Sequence, residues 1–123
     1  MKIIHLGSGA ILAERVTLAL TAWQRARGLL GTRTLPEGEA LLLAPCNSVH
    51  TLGMRYPLYV LYLDGRNRVI WEGVLRPWRM GPYILRARRV NELPVSLAGN
   101  VKVGDVIGLA GGRPELDPPP ISP

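Results

Sequence analysis

From Leu58 to Leu63 the chain runs Leu-Tyr-Val-Leu-Tyr-Leu, with no charged residue and no polar face. A strand that is apolar on both sides belongs in the middle of a sheet covered on both faces. Asp64-Gly65 follows, and Val69-Ile70-Trp71 resumes the β pattern, which predicts a hairpin with a loop of about five residues. Elsewhere, Ile11 to Ala19 alternates with Val16, Leu18 and Leu20 on one side, Ala40 to Ala44 is a short apolar strand, and Val90 to Leu93 is another, stopped by Pro94. Lys102-Val103-Gly104-Asp105 turns the chain into a last strand, Val106 to Leu109.

Helical signals occur once. Thr21-x-x-Gln24 is a capping box, in which each side chain satisfies a backbone amide of the other residue. Trp23, Ala26 and Leu30 follow at helical spacing, and Gly28 or Gly31 supplies the exit. A short helix is therefore predicted between Thr21 and Leu30, with Trp23 plugging one end of the β structure. Six or seven short antiparallel strands with one short helix predict a mainly β fold, a small barrel or sandwich. There is no alternating βα pattern, phosphate-cradling glycine loop or internal repeat, and Gly7-x-Gly9 reads as a turn. The predicted domain covers residues 1–109. Residues 110–123 form a tail with five prolines, expected to be disordered because proline breaks both helices and sheet ladders.

Composition narrows this picture. The length, 123 residues, suits one domain, and 47% hydrophobic residues can build a core without staples, although no Phe contributes. A single cysteine makes no internal disulfide, and the apolar run after Lys2 is too short to span a bilayer and unlike a signal peptide. A cytoplasmic protein with no membrane association is expected. The net charge is +6, and lysine appears only at positions 2 and 102, so arginine supplies nearly all the positive charge. Such a balance favours anionic partners. Nucleic acid is one, through Arg66, Arg68, Arg86, Arg88 and Arg89. Yet no recognised module is present and exposed aromatics interleaved with the arginines are not evident, so a solvated basic face is preferred. Arg86-Ala87-Arg88-Arg89 reads as an edge strand.

The densest motif is Cys46-Asn47-Ser48-Val49-His50-Thr51-Leu52-Gly53-Met54-Arg55-Tyr56-Pro57-Leu58. Together with Arg27-Gly28-Leu29, Tyr62-Leu63-Asp64, Pro77-Trp78-Arg79, Glu92-Leu93-Pro94 and Val103-Gly104-Asp105, in that order and spacing, it resembles the family known as domain of unknown function 192. The resemblance spans about Val16 to Leu109. It implies a compact, mainly β fold and no reaction. Members usually carry an acidic residue after Pro-Leu, where this chain has Tyr59.

Function is then a question about the motif's side chains. Cys46, His50 and Met54, with His5 upstream, are a soft donor set suited to copper. On an extended strand, however, positions four apart lie roughly 13 Å apart, too far for one ion. No metal and no cofactor is expected. Cys46 as nucleophile with His50 as base would make a cysteine-dependent enzyme, but the same spacing separates them and no third orienting group is visible. The favoured expectation is a non-catalytic module binding a small anionic molecule or a protein partner. His50, Thr51, Met54 and Arg55 would line its site with Trp78 and Arg79, the arginines gripping an anion and Trp78 offering a stacking face.

Overall fold

The computed structural model describes residues 1–111, so all but the first two positions of the predicted tail lie outside the described residues. Eight strands form two sheets: β1 (Lys2–His5), β2 (Ile11–Ala13), β3 (Arg15–Ala19), β4 (Glu39–Leu43), β5 (Leu58–Leu63), β6 (Val69–Leu75), β7 (Arg89–Pro94) and β8 (Ile107–Ala110). The smaller sheet has the order β2-β1-β8 and the larger β3-β4-β7-β5-β6. The fold is mainly β and sandwich-like rather than a closed barrel, with one more strand than the upper expectation.

The sheets share the chain at Glu14. The predicted strand from Ile11 to Ala19 breaks there: β2 pairs with β1, whereas β3 pairs with β4 in the other sheet. The amides of Glu14 and Arg15 both donate to Gly38 O at the corner. The β3–β4 pair is parallel, against the antiparallel expectation. Parallel neighbours need a long crossover, and here it holds α1 (Ala22–Arg27). Arg86 to Arg88 are loop, and β7 lies between β4 and β5, so that stretch is no edge strand.

The larger sheet is buried on both faces. One face packs Ala40, Leu42, Tyr59, Leu61, Leu63 and Leu93 against Ile3, Leu12, Ile107 and Leu109 of the smaller sheet. The other carries Leu41, Leu43, Leu58, Val60, Tyr62 and Val90, covered by Val49, Met54, Ala87 and neighbouring side chains from loops. Strand β5 is therefore apolar throughout because both of its sides face core. The hairpin β5–β6 has the predicted five-residue loop, with Leu63 opposite Val69. Asp64 caps it, Oδ1 accepting from the amides of Arg66 and Arg68 at 2.9 and 3.0 Å.

The capping box forms as predicted: Thr21 Oγ1 accepts from Gln24 N at 3.1 Å, and Gln24 Oε1 accepts from Thr21 N at 3.2 Å. Trp23 plugs nothing. The six-residue helix buries none of its residues, and Trp23 is 73% exposed. Its value lies in its last turn, described below.

Where loops cover the sheet, backbone must approach closely. A Cβ on Gly81 would lie 2.5 Å from the Tyr62 hydroxyl and 3.1 Å from Val49 O. Gly81→Ala should therefore lower stability by about 1–3 kcal/mol, measured by urea unfolding, as loops and strand shift apart. Unchanged stability would show that the loop is free to move away.

Candidate functional site

The segment from Pro45 to Pro57 is irregular, not the extended strand assumed in spacing Cys46 from His50. It turns back on itself, with Met54 N donating to Thr51 O at 3.0 Å. Cys46, His50 and Met54 consequently line one cleft of about 320 Å³. Its other walls are Arg25, Arg27 and Gly28 at the end of α1, and Glu92 of β7. These three side chains border one cleft, and no hydrogen bond joins any two of them.

Glu92 is the group that sequence reasoning left without a role. It lies in the middle of β7, opposite Leu41 on one side and Val60 on the other, and is 3% exposed. Among the described residues its carboxyl has no hydrogen bond or ion pair. Burial alone pushes its pKa up to about 8, so the group is neutral at pH 7. Gly28 sits above it: a Cβ there would lie 3.8 Å from Glu92 Oε1. Gly28 also has φ of 52°, a left-handed conformation that glycine adopts without strain. The signal was legible as a lone acid between Val90 and Leu93 in an apolar strand. A charge placed there needs a reason.

The remaining side chains are placed as follows. The Cys46 thiol donates to Ser48 O at 3.2 Å, and burial first, then the neighbouring Glu92, push its pKa up. His50 is exposed at the rim, with Nδ1 accepting from Leu52 N at 3.2 Å. Met54 is buried, and Arg55 is exposed outside the cleft lining. Thr51 is wholly buried, and its hydroxyl donates to Arg76 O at 2.5 Å and accepts from Arg79 N at 2.9 Å. That hydroxyl holds a loop in place. Trp78 and Arg79 are exposed on this loop and do not line the cleft. The structure therefore divides the predicted set: Cys46, His50 and Met54 meet at the cleft, and Trp78 and Arg79 belong to another surface.

His5, the upstream imidazole, is elsewhere and engaged. Its Nε2 pairs with Asp105 Oδ2 at 2.8 Å and its Nδ1 with Ser8 Oγ at 2.7 Å. Among the described residues no three of His, Cys, Asp and Glu converge as a metal site would require.

A family model, described as "Uncharacterized ACR" and known as domain of unknown function 192, matches residues 4–109. The chain belongs to this family. No protein of curated description matches it. Two solved structures share the fold. One is a protein of unknown function from Novosphingobium aromaticivorans, 21% identical, covering 88% of this chain and 82% of that one at a TM-score of 0.73. The other is a Sinorhizobium meliloti protein described provisionally as a transcription regulator, 18% identical, covering 86% and 88% at a TM-score of 0.64. No helix of the described residues is long and apolar enough to cross a membrane.

Membership bears on Tyr59, which stands where family members usually have an acid. Its ring is buried, and its hydroxyl donates to Glu72 Oε1 at 2.9 Å and contacts Val101 O at 3.1 Å. The carboxylate here comes from the adjacent strand β6. This pair faces the smaller sheet, on the opposite side of the larger sheet from the cleft.

The Glu92 carboxyl makes stability depend on pH with a definite sign. Its pKa rises from 4.5 to about 8 on folding, so between those values the folded chain holds a proton that the unfolded chain has released. Stability is full below the lower value and declines as pH rises to the upper, by up to about 1.4 kcal/mol per unit. Glu92→Gln should flatten this dependence, seen by comparing urea unfolding at about pH 5 and about pH 8.5. Parallel pH profiles for the two proteins would show that the carboxyl is hydrated in the fold.

Proposed function

We propose that this chain is a binding module for a small anionic molecule, held in the cleft between the end of α1, the 45–57 segment and Glu92. The observation that carries the proposal is the unpartnered Glu92 carboxyl at the cleft. A neutral carboxylic acid in a mostly buried strand, bordering the cleft without a protein partner, is a hydrogen-bond donor available to a ligand acceptor. Anionic oxygens are strong acceptors, and the surrounding cations favour them. These cations are Arg25 and Arg27 in the last turn of α1, and the His50 ring adds a polar group at the rim. The volume of about 320 Å³ suits a compact metabolite.

Binding is favoured over thiol catalysis because burial raises the Cys46 pKa and keeps the group a thiol at neutral pH. The reactive species in nucleophilic attack is the thiolate. A small alkylating reagent should accordingly label native Cys46 slowly near pH 7. Rapid labelling that slows in His50→Ala would favour the cysteine-dependent alternative.

The pH dependence of binding follows from Glu92. Below about pH 8 its acid form donates to the ligand; above it the carboxylate repels the ligand. A thermal-shift series with small carboxylates and phosphate esters at pH 7 should reveal a stabilising anion, by about 2.7 kcal/mol at a hundredfold excess over Kd. Arg27→Ala should weaken the effect. Wild-type affinity should fall about tenfold per unit above pH 8, whereas Glu92→Gln, neutral at every pH, should retain it. The absence of any stabilising anion, or loss of affinity with pH in Glu92→Gln equal to wild type, would overturn the proposal.

A further inference from the structure

Between Glu72 and Glu92 the chain carries five arginines and no acidic residue. Residues 76–88 link β6 to β7, and their backbone is stitched down at several points. The Thr51 hydroxyl holds Arg76 O and Arg79 N, and Thr51 O accepts from Trp78 N at 2.9 Å. Gly81 N donates to Val49 O at 2.8 Å, the Tyr62 hydroxyl to Pro82 O at 2.8 Å, and Ile84 N to Asn47 O at 3.0 Å. Backbone so anchored normally turns its large side chains inward. Here Trp78, Met80, Tyr83 and Leu85 are 64%, 69%, 68% and 73% exposed. Trp78 also holds φ of 61°, a left-handed conformation that a bulky residue adopts only under constraint from its surroundings.

We infer that this loop is a docking surface for single-stranded nucleic acid, with Trp78 and Tyr83 as base-stacking platforms and the interspersed arginines pairing with phosphates. Bound single strands require a cationic track that carries aromatic faces, and a fixed backbone lowers the ordering cost of presenting both. The chain's overall +6 charge adds long-range attraction to a polyanion. The aromatic component, which the sequence did not reveal, is supplied by the exposure of Trp78 and Tyr83. Interleaving distinguishes this partner from a lipid bilayer. Arg79 stands between Trp78 and Met80, so inserting those two side chains into hydrocarbon would carry a guanidinium with them. Along a nucleic acid strand, bases and phosphates alternate in the same way. A second copy of the chain would set arginines against arginines.

Fluorescence anisotropy with labelled oligo-uridine or oligo-thymidine of roughly 20 nucleotides, at about 50 mM salt, tests the inference on the full chain. Binding is expected, falling steeply with salt, together with quenching of tryptophan emission. Trp78→Asn removes the ring while tolerating the left-handed backbone, and should weaken binding about tenfold; Tyr83→Ala should act similarly from a separate point on the loop. Arg86→Ala should lower the slope of log affinity against log salt by about 0.7. Thermal melting of each variant establishes that it is folded, and Tyr83→Ala decides the matter if Trp78→Asn is not. No binding at low salt would overturn the inference. So would equal affinity for poly-glutamate, preference for phosphatidylcholine–phosphatidylserine vesicles, or unaltered affinity in the folded aromatic variants.

Discussion

The larger sheet must be dry on both faces, and this requirement governs everything else in the molecule. One face is served conventionally by the second sheet. Among the described residues the other has no sheet or long helix to cover it, so irregular chain does the work: the end of the α1 crossover, residues 45–57 and residues 76–88. Irregular backbone near a core is costly unless its amides and carbonyls find partners. The loops find them in each other and in the sheet. Thr51 supplies one clasp, and the Tyr62 hydroxyl another, accepting from Val49 N at 3.2 Å and donating to Pro82 O. Burial in this seam pushes the Tyr62 pKa up to about 12, so its hydroxyl stays neutral and keeps the proton it donates.

A cover assembled from loops leaves a gap where its pieces fail to meet, and the composition of the sheet beneath marks that gap. The described side chains on this face of β4, β5 and β7 are aliphatic or aromatic apart from Glu39, part-exposed at the start of β4 beside Arg15, and Glu92, the one buried acid. A carboxyl in the middle of a packed face would have been replaced by an aliphatic group without loss of stability, since its burial is unfavourable above its solution pKa. Glycine at position 28 keeps the space above the carboxyl open. The acid and the gap are thus parts of one arrangement, and stability is sacrificed at neutral pH to maintain it.

The sequence revealed what is local and periodic. The capping box, the Asp64-Gly65 hairpin and the two-sided apolar character of β5 depend on neighbours within a few residues, and each is present. What it concealed depends on partners far along the chain. Glu14 moves the strand to another sheet only because Gly38 O is there to receive two amides. The parallel β3–β4 pair cannot be read from two short apolar runs. At the site, Cys46, His50 and Met54 are recognisable by chemical type, but the irregular path of residues 46–54, which puts all three on one cleft, is set by the loop and sheet it packs against. Glu92 was visible as an acid within a strand motif, yet its significance comes from the residues opposite it. Trp78 was legible as a stacking face, while its separation from the cleft is a matter of tertiary arrangement.

Residues 46–51 make the cleft and the arginine-rich loop mechanically continuous. His50 lines the cleft and pairs as an isolated bridge with Met80 of the loop. Asn47 lines the cleft and accepts from Ile84 N, and Cys46 N donates to Arg88 O at 3.0 Å. One short segment therefore has its side chains in the concave region and its backbone bonded to the convex one. Three contacts of this kind within five residues leave little freedom for either surface to shift alone, because displacing the loop would strip partners from backbone groups next to the core. This explains why so polar a motif occupies the middle of a small β protein. Its backbone carries much of the structural task, with Thr51, the one fully buried polar side chain of the segment, closing the clasp, so the Cys46, Asn47 and His50 side chains remain available to the cleft.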